Sequence, residues 1–159
     1  MGKRAIRERI FLILFRVDYY RPEEMPEQIG HFFEGEEESY IEEERLKAEE
    51  EERELTEIVL PARITRGRDR IREKTLQIVE KLPELDKALD ERMEGWNLGR
   101  IGKVELTILR LALFEMRYDD EVSDAVAINE AVELAKKYGQ DKSGEFVNGV
   151  LAKFAKDRI

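Results

Sequence analysis

The sequence predicts an all-α fold of about seven helices, and three observations carry the prediction. Apolar residues recur at three- and four-residue steps along most of the chain. Four prolines and ten glycines are too few for an all-β design with many turns. A 42% hydrophobic and 41% charged composition suits helices with one packed and one heavily solvated face. At 159 residues the chain makes one compact domain or two small halves sharing a core.

The first helix runs from about Lys3 to Tyr20 on the stripe Ile6, Ile10, Ile13, Leu14 and Val17, and ends before Pro22. Ile29, Phe32 and Phe33 mark a short helix opened by Pro26. The glutamate-dense stretch "EGEEESYIEEERLKAEEEERE" has few apolar anchors, namely Tyr40, Ile41, Leu46 and Leu55. It fits a projecting solvated helix or a mobile segment, and the helix is preferred because glutamate is a good helix former. From Asp69 to Met93 the residues Ile71, Leu76, Val79, Leu82, Leu85, Leu89 and Met93 favour helix, with Pro83 kinking or dividing it. "GWNLGRIG" breaks the pattern at three glycines. Val104, Ile108 and Leu111 with Leu109, Ala112 and Met116 fill two adjoining stripes, the mark of a helix buried on most of its circumference. Ile128, Ala131, Val132, Ala135 and Tyr138 make the next helix, with Gly139 as its stop. The last helix starts near Asp141 or Ser143, either of which can cap it. Its stripe Val147, Val150, Leu151 and Phe154 places the turn-forming pair Asn148-Gly149 inside a helix. Gly149 there costs up to about 1 kcal/mol relative to alanine, which a close approach by another backbone would justify.

Composition excludes several kinds of chemistry. With no cysteine there are no disulfides, thiolate metal sites or cysteine nucleophiles. The single histidine, His31, beside two phenylalanines, reads as a packed or surface side chain. "IFLILF" is far too short to span a bilayer and is flanked by arginines, so a cytoplasmic protein with no membrane partner is expected. "GRIGK" lacks the four residues between glycines, and the hydroxyl residue after lysine, that a phosphate-binding loop needs. No catalytic residue, metal ligand or cofactor site emerges, and the chain is not read as an enzyme.

The net charge of −9 conceals a block pattern. Residues 1–22 carry +4, residues 23–57 carry −13, residues 61–74 carry +4 and residues 75–159 carry −4. At physiological salt the field decays over roughly 8 Å, so a basic end on an acidic protein can still bind a polyanion. The stretch at 61–74 is read as neutralising the acidic block. Arg4, Arg7, Phe11 and Phe15 advance by three or four residues and share a face of the first helix apart from its core stripe. Guanidinium forks bind phosphate and rings stack unpaired bases, so this face suits single-stranded RNA, with helix packing as the competing use. The start of the last helix, with Lys142, is a second anion candidate, and Phe146 is either core or a base platform.

"VAINEAVELAKKYGQDKSGEFVNGVL", "GWNLGRIGKVELTILRLALFEM", "ELDKALDERMEGW" and the opening "KRAIRERIFLILFR" resemble the bacterial transcription antitermination factor NusB family. The resemblance implies two packed helical bundles, an N-terminal one over about 1–82 with an acidic insertion at about 34–57, and a C-terminal one over about 83–159. It implies binding of the single-stranded boxA element of nascent RNA together with NusE, a small ribosomal-subunit protein. It further implies indirect engagement of RNA polymerase and other Nus factors, notably on ribosomal RNA operons, and no catalysis. By the same resemblance Lys3, Arg4, Arg7, Lys142 and Phe146 face RNA, while Phe15 and Glu105 face NusE. Arg9 differs in direction from Arg4 and Arg7 and is not assigned.

Two features depart from the family pattern: an opening less dense in arginine, and an acidic excursion from Glu34 to Glu57 longer than is usual, with Pro83 interrupting a helix beyond it. They motivate an alternative, a NusB-fold interaction adaptor without RNA binding. Another is an accessory domain for an RNA methyltransferase, whose catalytic chain would have to be separate.

Overall fold

The computed structural model describes residues 2–93 and 98–155. The regular elements among them are helical: α1 (Lys3–Leu14), α2 (Met25–Glu50), α3 (Ala62–Thr65), α4 (Arg68–Arg92), α5 (Lys103–Tyr118), α6 (Asp124–Tyr138) and α7 (Ser143–Ala152), with short 3-10 turns between several of them. The all-α reading and the count of about seven helices hold. Gly95, the first of the three glycines expected to break the pattern, lies outside the described residues.

α5 is the axis of the fold. Every residue from Leu106 to Met116 is buried on it, as its double stripe predicts. It packs against α6 and α7 on one side and against α4 and α1 on the other, which joins the two bundles. α4 passes Pro83 without dividing, so the sub-bundle boundary expected at 82/83 falls within one helix. Proline removes one backbone donor there, and the apolar contacts of Val79, Leu85 and Leu89 hold the helix together across the gap. α4 opens after Gly67, whose φ of 76° is a left-handed conformation that glycine adopts without strain.

The short helix and the glutamate-rich segment are one helix, α2. Its first half buries Met25, Ile29 and Phe33, whereas beyond Gly35 only Ala48 is buried. Pairs such as Arg45 with Glu42 line the outer half, which is the projecting solvated helix preferred from composition. α2 ends in a Schellman closure: Glu52 N–H donates to the Glu49 carbonyl (3.2 Å) and Arg53 N–H to the Ala48 carbonyl (3.0 Å). Glu52 takes the left-handed position, φ 54°, usually given to glycine. The basic stretch at 61–74 folds against this acidic arm: Arg68 pairs with Glu37 (2.8 Å), and Arg63 lies 5.5 Å over the ring of Tyr40.

Two glycine readings exchange places. Gly139 ends α6 with φ −95°, so left-handed geometry is not its role. A Cβ there would sit 2.6 Å from the Ser143 side chain and 2.7 Å from the Ala135 carbonyl, so the close approach of α7 requires glycine. Gly149, expected to admit a neighbouring backbone, is exposed and would meet nothing within 4 Å. Asn148 is exposed beside it and does not lie in a packed helix junction. Gly149→Ala should therefore stabilise the protein by about 0.5–1 kcal/mol, measured as a higher urea midpoint at unchanged slope. A loss of stability would show that the position does need glycine.

Candidate nucleic-acid and partner interface

α1 carries the basic opening, but α2, α4 and α5 pack on the helix and side chains of α6 reach it, which leaves little open circumference beyond its first turn. Phe11, expected on an open face with the arginines, is fully buried, 4.9 Å from the Phe15 ring and 5.0 Å from Tyr138. Arg7 is only 7% exposed. Its guanidinium makes a fork with the Glu115 carboxylate of α5 at 2.9, 2.9 and 3.2 Å, and Glu115 also accepts from Lys74 Nζ of α4 (2.8 Å). Arg7 is therefore a buried link between α1 and α5, and its fork is not presented to solvent. Lys74 continues to Asp119 (2.9 Å), beside which Arg70 lies at 3.7 Å. Burial raises the Asp119 pKa, but the hydrogen bond and charge of Lys74 outweigh it and hold the carboxyl below its usual range.

Lys3 is exposed, and Arg4 reaches across to Glu130 of α6 in a second fork at 2.8 and 2.9 Å. The hydrogen bond from Arg4, followed by its charge, holds the Glu130 carboxyl below the ordinary carboxylate range. Arg4 is thus solvent-facing, oriented and already paired. Arg9, left unassigned, is buried against Glu36 and two carbonyls.

The other end of α1 is different. After Leu14 the chain tightens into a 3-10 turn, Phe15–Asp18, on which Phe15 is half-buried. Asp18 closes that turn onto α5, accepting from Arg110 (3.0 and 3.2 Å) and from Lys103 (2.5 Å). Burial pushes the Asp18 carboxyl up, and the hydrogen bonds of Arg110 and Lys103 bring it below its ordinary value. Two residues beyond Lys103, Glu105 bends back over Gly102, so that a Cβ on Gly102 would strike its carboxylate. Glu105 also accepts a 2.6 Å hydrogen bond from the Ser143 hydroxyl, which in turn accepts from Gln140 N–H (2.9 Å). Ser143 thereby ties the start of α7 to the start of α5, but it is the first residue of the helix: Lys142 holds the N-cap position without a side-chain cap bond, so neither Asp141 nor Ser143 is the cap.

These ties form a cleft of about 400 Å³ lined by Arg100, Ile101, Gly102, Glu105, Gln140, Lys142, Ser143 and Phe146. Three residues assigned by resemblance to two different partners, Glu105, Lys142 and Phe146, share it. Phe15 lies on the turn that Asp18 fastens to the same end of α5. Lys3 and Arg4 stand at the opposite end of α1 from Phe15, a twelve-residue helix roughly 18 Å long. Sequence reasoning missed Ser143 as the connecting group; its position three residues after Gln140 at a helix start was the available signal. His31 is a surface side chain between Glu27 and Glu34. Among the described residues no cluster of His, Asp or Glu is placed to hold a metal, and no helix is long and apolar enough to cross a membrane.

The sequence model of the NusB family matches residues 4–156. The chain belongs to the NusB family. It is 41% identical to the transcription antitermination protein NusB of Agathobacter rectalis over 98% of this chain and 100% of that one. With NusB of Lachnoclostridium phytofermentans the identity is 44%, over 96% and 98%. Among solved structures, T. maritima NusB superposes with a TM-score of 0.71 at 26% identity, covering 99% of this chain and 93% of that chain. A chain in the crystal structure of a plectonemic RNA supercoil superposes with a TM-score of 0.66 at 25% identity, over 95% and 91%. Near-complete coverage places the NusB fold, with its two packed bundles, over the whole described chain, so the protein belongs to a family of transcription antitermination factors.

Proposed function

We propose that the chain is a cytoplasmic antitermination factor that binds boxA RNA as a heterodimer with NusE and supports transcription of ribosomal RNA operons. RNA polymerase and the other Nus factors are engaged through that complex, and the chain performs no catalysis. The observation that carries this reading is the cleft between the starts of α5 and α7. It brings an ammonium (Lys142), the edge of a half-buried ring (Phe146) and a fixed carboxylate (Glu105) into one concave surface, and Phe15 lies on the turn that Asp18 fastens to the same end of α5. Exposed cations and rings suit a single strand, and an oriented carboxylate beside a half-buried ring suits a protein.

The RNA contacts we retain are the exposed Lys3 and Lys142 and the half-buried Phe146, with Arg4, exposed but paired with Glu130, contributing only by exchanging that carboxylate for a phosphate; Arg7 supports the helix that presents Lys3 and Arg4. With Lys3→Ala and Lys142→Ala combined, the salt dependence of boxA binding should flatten by about 1.4 in slope, from about 0.7 per lost phosphate contact on a single strand. Fluorescence anisotropy across a potassium chloride series reads this directly, and an unchanged slope rejects both lysines. Glu105→Lys should weaken NusE binding without flattening this slope.

The adaptor reading without RNA binding has one observation in its favour: Arg4 and Arg7 are both satisfied internally, by Glu130 and Glu115. A wild-type protein that binds no boxA by itself and leaves the salt slope of NusE alone unchanged would favour it.

A further inference from the structure

Tyr19 and Tyr20 follow the turn that closes α1, and neither is used by the core. Tyr19 is 72% exposed and Tyr20 39%. A large ring in water is ordinarily mobile, but the backbone here is fixed. Tyr19 N–H donates to the Arg16 carbonyl (3.0 Å), and the adjacent Asp18 is held by Arg110 and Lys103. The Lys103 ammonium lies 5.1 Å from the centre of the Tyr19 ring. A ring so placed has little freedom left to lose when a partner covers it.

We propose that Tyr19, with Tyr20 beside it, is an aromatic anchor for the protein partner, extending the Phe15–Glu105 surface around the start of α5. The inference rests on the heterodimer proposed above and assigns that heterodimer a further binding element. The surrounding charges favour protein over RNA. Lys103 and Arg110 both close on Asp18, Arg110 closes again on Asp86 (2.8 and 2.9 Å), and Arg21 closes on Glu24 (2.8 Å). A phosphate approaching these rings meets Lys103, Arg110 and Arg21 already neutralised, and the carboxylates that neutralise them, while Arg16 on the same turn is engaged by the carbonyl and side-chain oxygens of Gln28. Exposed tyrosine within a rim of paired polar groups is instead the composition of a protein–protein hot spot. Asp18 and Lys103 act as positioning residues, since they set the ring without having to touch the partner.

The test is Tyr19→Ser, with Tyr19→Phe as the conservative variant and Glu105→Lys as the reference for the underlying surface. NusE affinity is measured by titration calorimetry and boxA affinity by anisotropy without NusE. Because Tyr19 is exposed, Tyr19→Ser should unfold at the wild-type temperature. NusE affinity should fall by about ten- to a hundredfold in Tyr19→Ser, remain near wild type in Tyr19→Phe, and boxA affinity should be unchanged. Unaltered NusE affinity in Tyr19→Ser, with Glu105→Lys still weakening it, overturns the anchor and leaves the heterodimer surface standing. No weakening in either variant overturns the surface and the anchor with it. A fall in boxA affinity alone, or loss of self-association in sedimentation with NusE affinity intact, overturns the assignment of the anchor to NusE.

Discussion

Replacing Glu115 by alanine is expected to reduce folding stability by about 3–5 kcal/mol, the loss typical of breaking a buried ion pair from one side. Glu115 is 1% exposed and lies between two cations that are nearly as enclosed, Arg7 of α1 and Lys74 of α4. With the carboxylate gone, Lys74 retains Asp119, but among the described residues the Arg7 fork is left with only Glu130, at 3.7 Å. A guanidinium cannot release its proton to escape burial, so the cost falls on packing. Urea unfolding followed by circular dichroism reads the change, and a loss below about 1 kcal/mol would show that Arg7 finds water instead. Removing all three charges together, with methionine for Arg7 and Lys74 and leucine for Glu115, should recover most of the stability, because an apolar cluster of similar volume needs no desolvation. Arg7→Ala belongs to the same network. Any weakening of RNA binding in that variant has to be read against its unfolding curve before Arg7 is credited with a contact.

What was legible in the sequence follows the range of the interactions. The stripes of α1, α5, α6 and α7 depend on residues three or four apart, so periodicity alone places them. Whether a helix face is open depends on which other helices lie on it, and Phe11 shows the consequence. It shares a local face with Arg4 and Arg7, yet Tyr138, which covers it, is far away in the chain. The same is true of Arg7, whose partner lies 108 residues on. A buried arginine and a phosphate-binding arginine look alike in sequence, since both present the same fork and differ only in what meets it. The cleft was reached residue by residue through family resemblance. Its unity came from the Ser143–Glu105 hydrogen bond, across 38 positions that no spacing rule connects. Gly139 and Gly149 show a further limit: both are helix-associated glycines, and only the surroundings reveal that one is tightly enclosed and the other open.

Arg9→Ala is expected to have a loss of comparable size but a different distribution. Arg9, 7% exposed, grips Glu36 of α2 through two nitrogens (2.9 and 2.5 Å) and donates to the carbonyls of Ile64 and Arg66, each at 3.1 Å. These bonds fasten the acidic arm and the returning segment around α3 to α1. Apolar burial there is thin: Ile64 is buried, while Leu55 and Val59 are exposed. Charge-assisted hydrogen bonds contribute about 1.5–3 kcal/mol each, and the carbonyls can turn to water once the arm loosens, so a total near 3 kcal/mol is expected. Loosening limits the damage to the arm, because detaching it costs less than opening the α5–α7 core. Hydrogen exchange should therefore lose protection over the outer half of α2 and over α3, while the amides of α5 and α6 stay protected. Arg9→Lys should fail to restore it, since one ammonium cannot span a carboxylate and two carbonyls in a fixed fork. Protection lost evenly over the whole chain would mean that the arm is part of the global folding unit. No loss at all would mean that the glutamate-rich helix stands without its arginine.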